Sequence, residues 1–224
     1  MRIEPAPRRA LAFAIALGVL AVSAPHTVRA SGTPSPPPMP PPSNPSTPPP
    51  GSEQPTQSPE EKAAQDRRDA VDLYNDGYKE AEKAKAEMAE ADALAAAGDA
   101  KSAEKAKKKS ESAQKRLGKQ VDKFLRATQL DPNYHEAWNM LGYSLRKTGD
   151  SKKAFEAYWE CLRLKPDYVP AHEYLGEAYL MVGNLPKAKE HLAQLDKLCF
   201  FGCSEFSDLK KAIGAYEAKV AVKQ

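Results

Sequence analysis

The 224 residues carry 33 basic and 30 acidic side chains, and 13 of the 20 prolines crowd between Ser31 and Pro59. Beyond Pro59 the chain is balanced, with 29 basic against 28 acidic residues. That balance excludes the strong single-sign field of a dedicated nucleic-acid or anionic-membrane surface, and charges so dense and mixed fit the wet faces of amphipathic helices.

Residues 1–30 have the pattern of an export signal. Arg2, Arg8 and Arg9 precede an apolar run from Ala10 to Val22, and Val28-Arg29-Ala30 places small residues at the −3 and −1 positions of a cleavage site before Ser31. The run is shorter than the roughly 20 residues of a spanning helix, so the expectation is removal and no stable membrane insertion afterwards. A periplasmic or secreted location follows; the alternative is an inner-membrane anchor through an uncleaved signal. Residues 31–59, rich in proline and serine, read as a disordered linker. In polyproline II form it could reach roughly 90 Å as a spacer.

From Ser58 the composition turns helical. Ser58-Pro59-Glu60-Glu61 has a serine cap, a proline at the first helical position and a glutamate three residues after the cap. Small or apolar residues then recur at Ala70, Tyr74, Gly77, Ala81, Ala84, Met88, Ala91 and Ala95, a seam of alternating threes and fours. Gly98-Asp99 interrupts it. A second seam continues through Ala103, Ala106, Ser110, Ala113, Leu117, Val121, Phe124 and Thr128. The 60–134 segment therefore predicts a long antiparallel hairpin rich in Ala, Lys and Glu; one long solvated helix is the alternative.

Two 34-residue blocks follow, starting at His135 and Val169, and they superpose without a gap. Trp138, Leu141, Gly142, Gly149, Ala154, Tyr158 and Pro166 of the first correspond to His172, Leu175, Gly176, Gly183, Ala188, Leu192 and Phe200 of the second. Helices are expected at about 134–148, 151–164, 168–182 and 185–198, the first opened by an Asn133–Glu136 capping box. A period of this length marks units that bury their apolar faces only against their neighbours. After Gly202, a helix from about Ser204 carries Phe206, Leu209, Ile213, Tyr216 and Val220 on one face, as the lid of such an array requires.

The 34-residue pattern resembles the tetratricopeptide repeat, as found in exported bacterial proteins. The turn GDAKSA at 98–103 aligns with GDSKKA at 149–154 and GNLPKA at 183–188, so the hairpin reads as a stretched unit. Its arms are longer by 14 and 17 residues, about 21 and 25 Å at the helical rise. The implied fold is an all-α, TPR-like α-solenoid: hairpin at 60–134, repeats at 135–168 and 169–202, capping helix at 203–224. The resemblance also implies a protein-binding module rather than an enzyme. By position, the concave groove would be lined by Glu136, Asn139, Tyr143, Arg146 and Lys147 from the first repeat, and by Pro170, Glu173, Glu177, Leu180 and Met181 from the second. Asn139 matches one residue of the carboxylate clamp of chaperone-binding members, but the clamp's lysine and second asparagine have no counterpart.

No catalytic constellation is present, since the His-Glu pairs lack a second histidine at metalloprotease spacing and every repeat glycine has a structural role. Cys199 and Cys203, one helical turn apart, read as a disulfide in an exported protein. With His172, His191 and Met181 in the chain, a metal or redox site at this pair is the alternative, although no third ligand has motif spacing. Cys161 reads as an inert core thiol. The expected function is a scaffold or adaptor of the bacterial cell envelope, with no cofactor or metal and a protein or peptide partner. A structural spacer self-associating through the hairpin is the remaining alternative.

Overall fold

The computed structural model describes residues 57–200 and 202–222; the leader and residues 31–56 of the proline-rich stretch lie outside the described residues. Those described form eight helices and no strand. The first, α1 (Pro59–Ala96), starts on a reciprocal cap: Glu61 N–H donates to Ser58 Oγ at 3.2 Å, and Ser58 N–H donates to the Glu61 carboxylate at 2.8 Å. It ends at Gly98, whose φ of 76° is a left-handed conformation that suits a residue without Cβ. Asp99 then caps α2 (Ala100–Gly118), accepting from Ser102 N–H at 2.9 Å.

α1 and α2 form an antiparallel pair along the alanine seams. Ala81, Ala84, Ala91, Ala106 and Ala113 are all buried, letting the two backbones approach closely. Arg116 ties the arms together through Glu80 at 2.7 Å and Glu87 at 2.9 Å. The second arm is not the continuous helix the seam suggests. It breaks at Lys119–Gln120, where Gln120 N–H turns back to Leu117 O at 2.9 Å, and resumes as α3 (Val121–Leu130). Both break residues keep right-handed dihedrals, so the arm is interrupted without reversing.

The repeats follow as α4 (His135–Thr148) with α5 (Ser151–Leu164), and α6 (Val169–Met181) with α7 (Leu185–Leu198); α8 (Ser204–Ala221) closes the stack. The capping box expected at Asn133–Glu136 is absent. Asn133 N–H instead donates to Asp131 Oδ1 at 3.0 Å, α4 starts without a side-chain cap, and the Glu136 carboxylate lies 3.0 Å from His135 Nδ1.

Close approach between helices explains the glycines inside them, Gly77, Gly142 and Gly176. A Cβ on Gly142 would stand 2.7 Å from the Tyr158 ring, and one on Gly77 would stand 2.9 Å from the Phe124 ring. The stretched unit thus packs glycine against a ring in the manner of the first repeat. In the second repeat the partner changes, because the notch over Gly176 is filled by Leu209 of α8. A second equivalence runs between units. Trp138 Nε1–H donates to the Pro132 carbonyl at 2.9 Å, and His172 Nε2 makes the corresponding 2.9 Å contact to the Pro166 carbonyl.

The core runs continuously along this stack. Leu117 and Phe124 of the hairpin join Leu141, Tyr158 and Leu175 of the repeats in one cluster. Leu180, Leu195, Leu209 and Ile213 form the next, under the lid. α3 packs on α4, α5 on α6 and α7 on α8, the neighbour-to-neighbour pattern of a solenoid.

Candidate functional site

α1, α4, α6 and α8 follow one another across one side of the array, with α1 against α4, α4 against α6 and α6 against α8. They enclose an open cleft of about 860 Å³. Tyr143, Lys147, Glu173, Tyr174 and Glu177 supply its floor; the C-terminal half of α1 supplies one flank through Lys85, Met88, Asp92 and Ala93; the first turns of α8 supply the other through Glu205, Asp208 and Ala212.

The floor is built around two rings. Tyr143 and Tyr174 lie with centroids 4.9 Å apart. Lys85 Nζ reaches over both from α1, at 5.9 and 5.8 Å from their centroids, and the Arg146 guanidinium lies 5.6 and 5.7 Å from the same two. Arg146 is only 3% exposed. Its Nε–H donates to Tyr158 Oη at 3.3 Å, and its Nη2 lies 2.6 Å from Glu177 Oε2, a contact ion pair whose angle falls outside hydrogen-bond geometry. Burial works against the guanidinium charge, but Tyr158 and Glu177 more than offset it and hold Arg146 firmly protonated. It is a strut between α4, α5 and α6, placed under the cleft rather than in it.

Glu173 is the unbalanced group. Burial, and then the neighbouring Glu177, Asp208 and Glu205 carboxylates, push its pKa up to about 8, with Lys85 acting in the opposite direction. Lys147 is shifted the other way: burial and Arg146 lower it.

Of the residues assigned to the groove from repeat positions, Tyr143, Lys147, Glu173 and Glu177 come together around the cleft. The others do not line it. Asn139 is buried, and Leu180 faces inward to pack with Leu195 and Leu209. Met181 is exposed outside the cleft, its Sδ 4.0 Å from Arg146 Nη1. Position-by-position reasoning missed both flanks, which depend on how far α1 overhangs the repeats and how α8 lies on α6. It also missed Tyr174; a tyrosine one residue after Glu173 on a helix of the groove was the available signal.

At the α7–α8 junction Cys199 and Cys203 have Cα atoms 5.6 Å apart, and their Sγ atoms lie at bonding distance. Cys203 is the cap residue of α8, its Sγ accepting from Phe206 N–H at 3.4 Å. Cys161 is fully buried, and burial pushes its thiol up to about 12. Among the described residues, no group of three His, Cys, Asp or Glu side chains is placed to hold a metal ion, and no helix is long and apolar enough to cross a membrane.

Paired helices of fixed period, glycine notches filled by a neighbouring helix and a core shared between neighbours define a helical-repeat solenoid. Residues 123–156 match the tetratricopeptide-repeat family profile, and the described residues have a tetratricopeptide-repeat-like helical fold. The matched window begins in α3 and ends in α5, so it joins the base of the hairpin to the first clear repeat. The chain is similar to the peroxisomal targeting signal receptors of Candida albicans and Kluyveromyces lactis, each 36% identical over 80 residues. Those matches cover 36% of this chain and 14% of the length of each receptor. Among solved structures, PcrH in complex with the chaperone binding region of PopD matches at 17% identity and a TM-score of 0.41, over 49% of this chain and 82% of that one.

Proposed function

We propose that this protein is a non-enzymatic adaptor that captures a segment of a partner protein in the cleft between α1, α4, α6 and α8, and that it works in the bacterial cell envelope after export. The observation that carries the reading is the cleft itself. It is a three-sided channel with an aromatic floor, the form that helical repeats offer to peptide segments. The similarity to receptors of a targeting signal lends further support. Support for export comes from the basic, apolar and small-residue succession in residues 1–30. In an oxidising compartment Cys199 and Cys203 form a disulfide that fastens α8, and with it one flank of the cleft, to the end of α7. Thiol titration of the denatured, unreduced protein should then give one thiol, from Cys161; three would refute the bridge.

The hairpin seam offers little for self-association, because Ala81, Ala84, Ala106 and Ala113 are already buried between α1 and α2. Site-specific photocrosslinking tests the adaptor reading directly. A photoreactive amino acid at Ala93, in the cleft, should capture a discrete partner in the source cell, whereas one at Trp159, exposed on α5, should not. Equal capture from both positions, or none from Ala93, would remove the cleft from the function.

A further inference from the structure

The two sulfurs of the Cys199–Cys203 pair face unlike surroundings, although their Cα atoms are only 5.6 Å apart. Cys203 is the cap residue of the 18-residue α8, and its Sγ accepts from Phe206 N–H at 3.4 Å. It therefore lies at the positive end of a helix dipole, where backbone N–H groups favour a sulfur that carries charge. Cys199 ends α7, its own N–H spent on the Leu195 carbonyl at 2.9 Å, and the negative end of that dipole disfavours an anion there. It also packs, partly buried, against the apolar cluster of Leu195, Leu209 and Ile213. Of the two sulfurs in one bond, one is placed to leave with the electron pair and the other is not.

The surroundings also let the bond open without unfolding the chain. Leu209 in the notch over Gly176 and Ile213 in the core hold α8 whether or not the sulfurs are joined. Gly202, at a φ of 85°, donates its N–H to the Cys199 carbonyl at 2.7 Å, so the backbone itself sets the turn that brings the cysteines together. A bridge across four residues constrains the unfolded chain less than one that closes a long loop. Both cysteines are half-exposed, beside the open Gly202 and Ser204, within reach of an external thiol. Cys161 takes no part: it is fully buried, and burial pushes its thiol up to about 12.

We propose that the Cys199–Cys203 bridge is an exchange-active disulfide whose substrate is a dithiol, with Cys199 the sulfur attacked and Cys203 the leaving thiolate. This activity is stoichiometric, separate from the cleft reading, and stands without it. A thiolate of the dithiol attacks Cys199 Sγ; the S–S bond breaks and its electron pair stays on Cys203. The second thiol of the reagent, as a thiolate, attacks its own partner sulfur in the mixed disulfide and releases Cys199, which takes a proton. Two electrons have then passed to the protein, and the dithiol has become a disulfide. Of its two protons, one is on Cys199 and the other in solvent, since Cys203 stays charged at the head of α8. Attack in the opposite sense would expel a thiolate against the α7 carbonyls, beside apolar side chains, and is slower for that reason.

The test uses the full chain in its oxidised form. With 2-mercaptoethanol, a monothiol that cannot resolve its own mixed disulfide, acid quenching and peptide mapping should find the adduct on Cys199 and a free thiol on Cys203. After complete reduction, limiting iodoacetamide at about pH 7 should alkylate Cys203 at least about tenfold faster than Cys199, with Cys161 untouched until denaturation. Glu205, in the first turn of α8, sets its carboxylate against the Cys203 charge. Glu205→Gln should therefore speed both reduction and alkylation, a gain that a merely structural bridge would not show. In glutathione buffers the native protein should pass between bridge and dithiol with its helical circular dichroism unchanged. A bridge that persists in excess reduced glutathione until denaturant is added, an adduct on Cys203, or equal alkylation of the two cysteines would each refute the proposal. So would failure of the bridge to form on oxidation.

Discussion

At the residue scale, two side chains set opposite responses to pH. Glu173 has a folded pKa of about 8, above the ordinary carboxylate value, because burial and three nearby carboxylates disfavour its charge. Stability from this group is full below the unfolded pKa and is lost as pH rises toward 8. Glu173→Gln should therefore flatten the alkaline limb of a melting-temperature profile and stabilise the protein at pH 9 by roughly 1–3 kcal/mol, after allowance for partial solvent screening. His191 acts in reverse. It lies 3.0 Å from His172, Nδ1 to Nδ1, and burial together with His172 depresses its pKa to about 4. With His172 Nε2–H donating to the Pro166 carbonyl, His172 Nδ1 is the acceptor for His191 Nδ1–H. The stability that depends on neutral His191 is present above the unfolded value and is lost as pH falls from about 6.5 toward 4. His191→Gln, which keeps a donor toward His172, should remove part of that acid limb; an unchanged acid limb would dissociate it from this pair.

At the element scale, each unit is defined by a glycine that lets two helices approach, and the cost of filling that notch differs from the cost of altering a turn. A methyl group at Gly142 meets the fully buried Tyr158 ring at 2.7 Å, and that ring also holds Arg146, so it has nowhere to retreat. Gly142→Ala should cost about 1–3 kcal/mol in chemical denaturation. At Gly98 nothing lies within 4 Å of an added Cβ, and only the positive φ is unfavourable, so Gly98→Ala should cost about 1 kcal/mol. The reverse order would mean that the hairpin turn, not the helix crossing, limits stability. These positions were legible in the sequence because period and residue type coincide there. The break at Lys119–Gln120 was not, since Ala113, Leu117, Val121 and Phe124 keep a helical seam straight through it. The cleft was half legible for a similar reason. Repeat register identifies which residues of α4 and α6 face inward along the array, but Asn139 and Leu180 are covered by neighbours that only the packing reveals. The flanks come from elements outside the repeat period.

At the scale of the whole molecule, the array is an interior with two unlike ends. One end is closed by α8, whose Leu209 enters the notch over Gly176 and joins Leu180 and Leu195 in the core. The other is a hairpin whose base, through Leu117 and Phe124, belongs to the shared core, while residues 93–104 at its tip contribute no buried side chain. In a solenoid the free energy of opening a segment follows the neighbours it must leave, so stability should be graded along the chain rather than uniform. Amide hydrogen exchange under native conditions should show it: slowest through α4, α5 and α6, intermediate in α7 and α8, and fastest in residues 93–104 at the tip. Reduction of the Cys199–Cys203 bridge should speed exchange in the first turns of α8 and leave α4 unchanged, because neither cysteine contributes to the core beneath α4. Uniform protection through the tip would show that the hairpin is stabilised along its full length by contacts beyond its own two arms. It would also mean that the α1 flank of the cleft is held more rigidly than its packing provides.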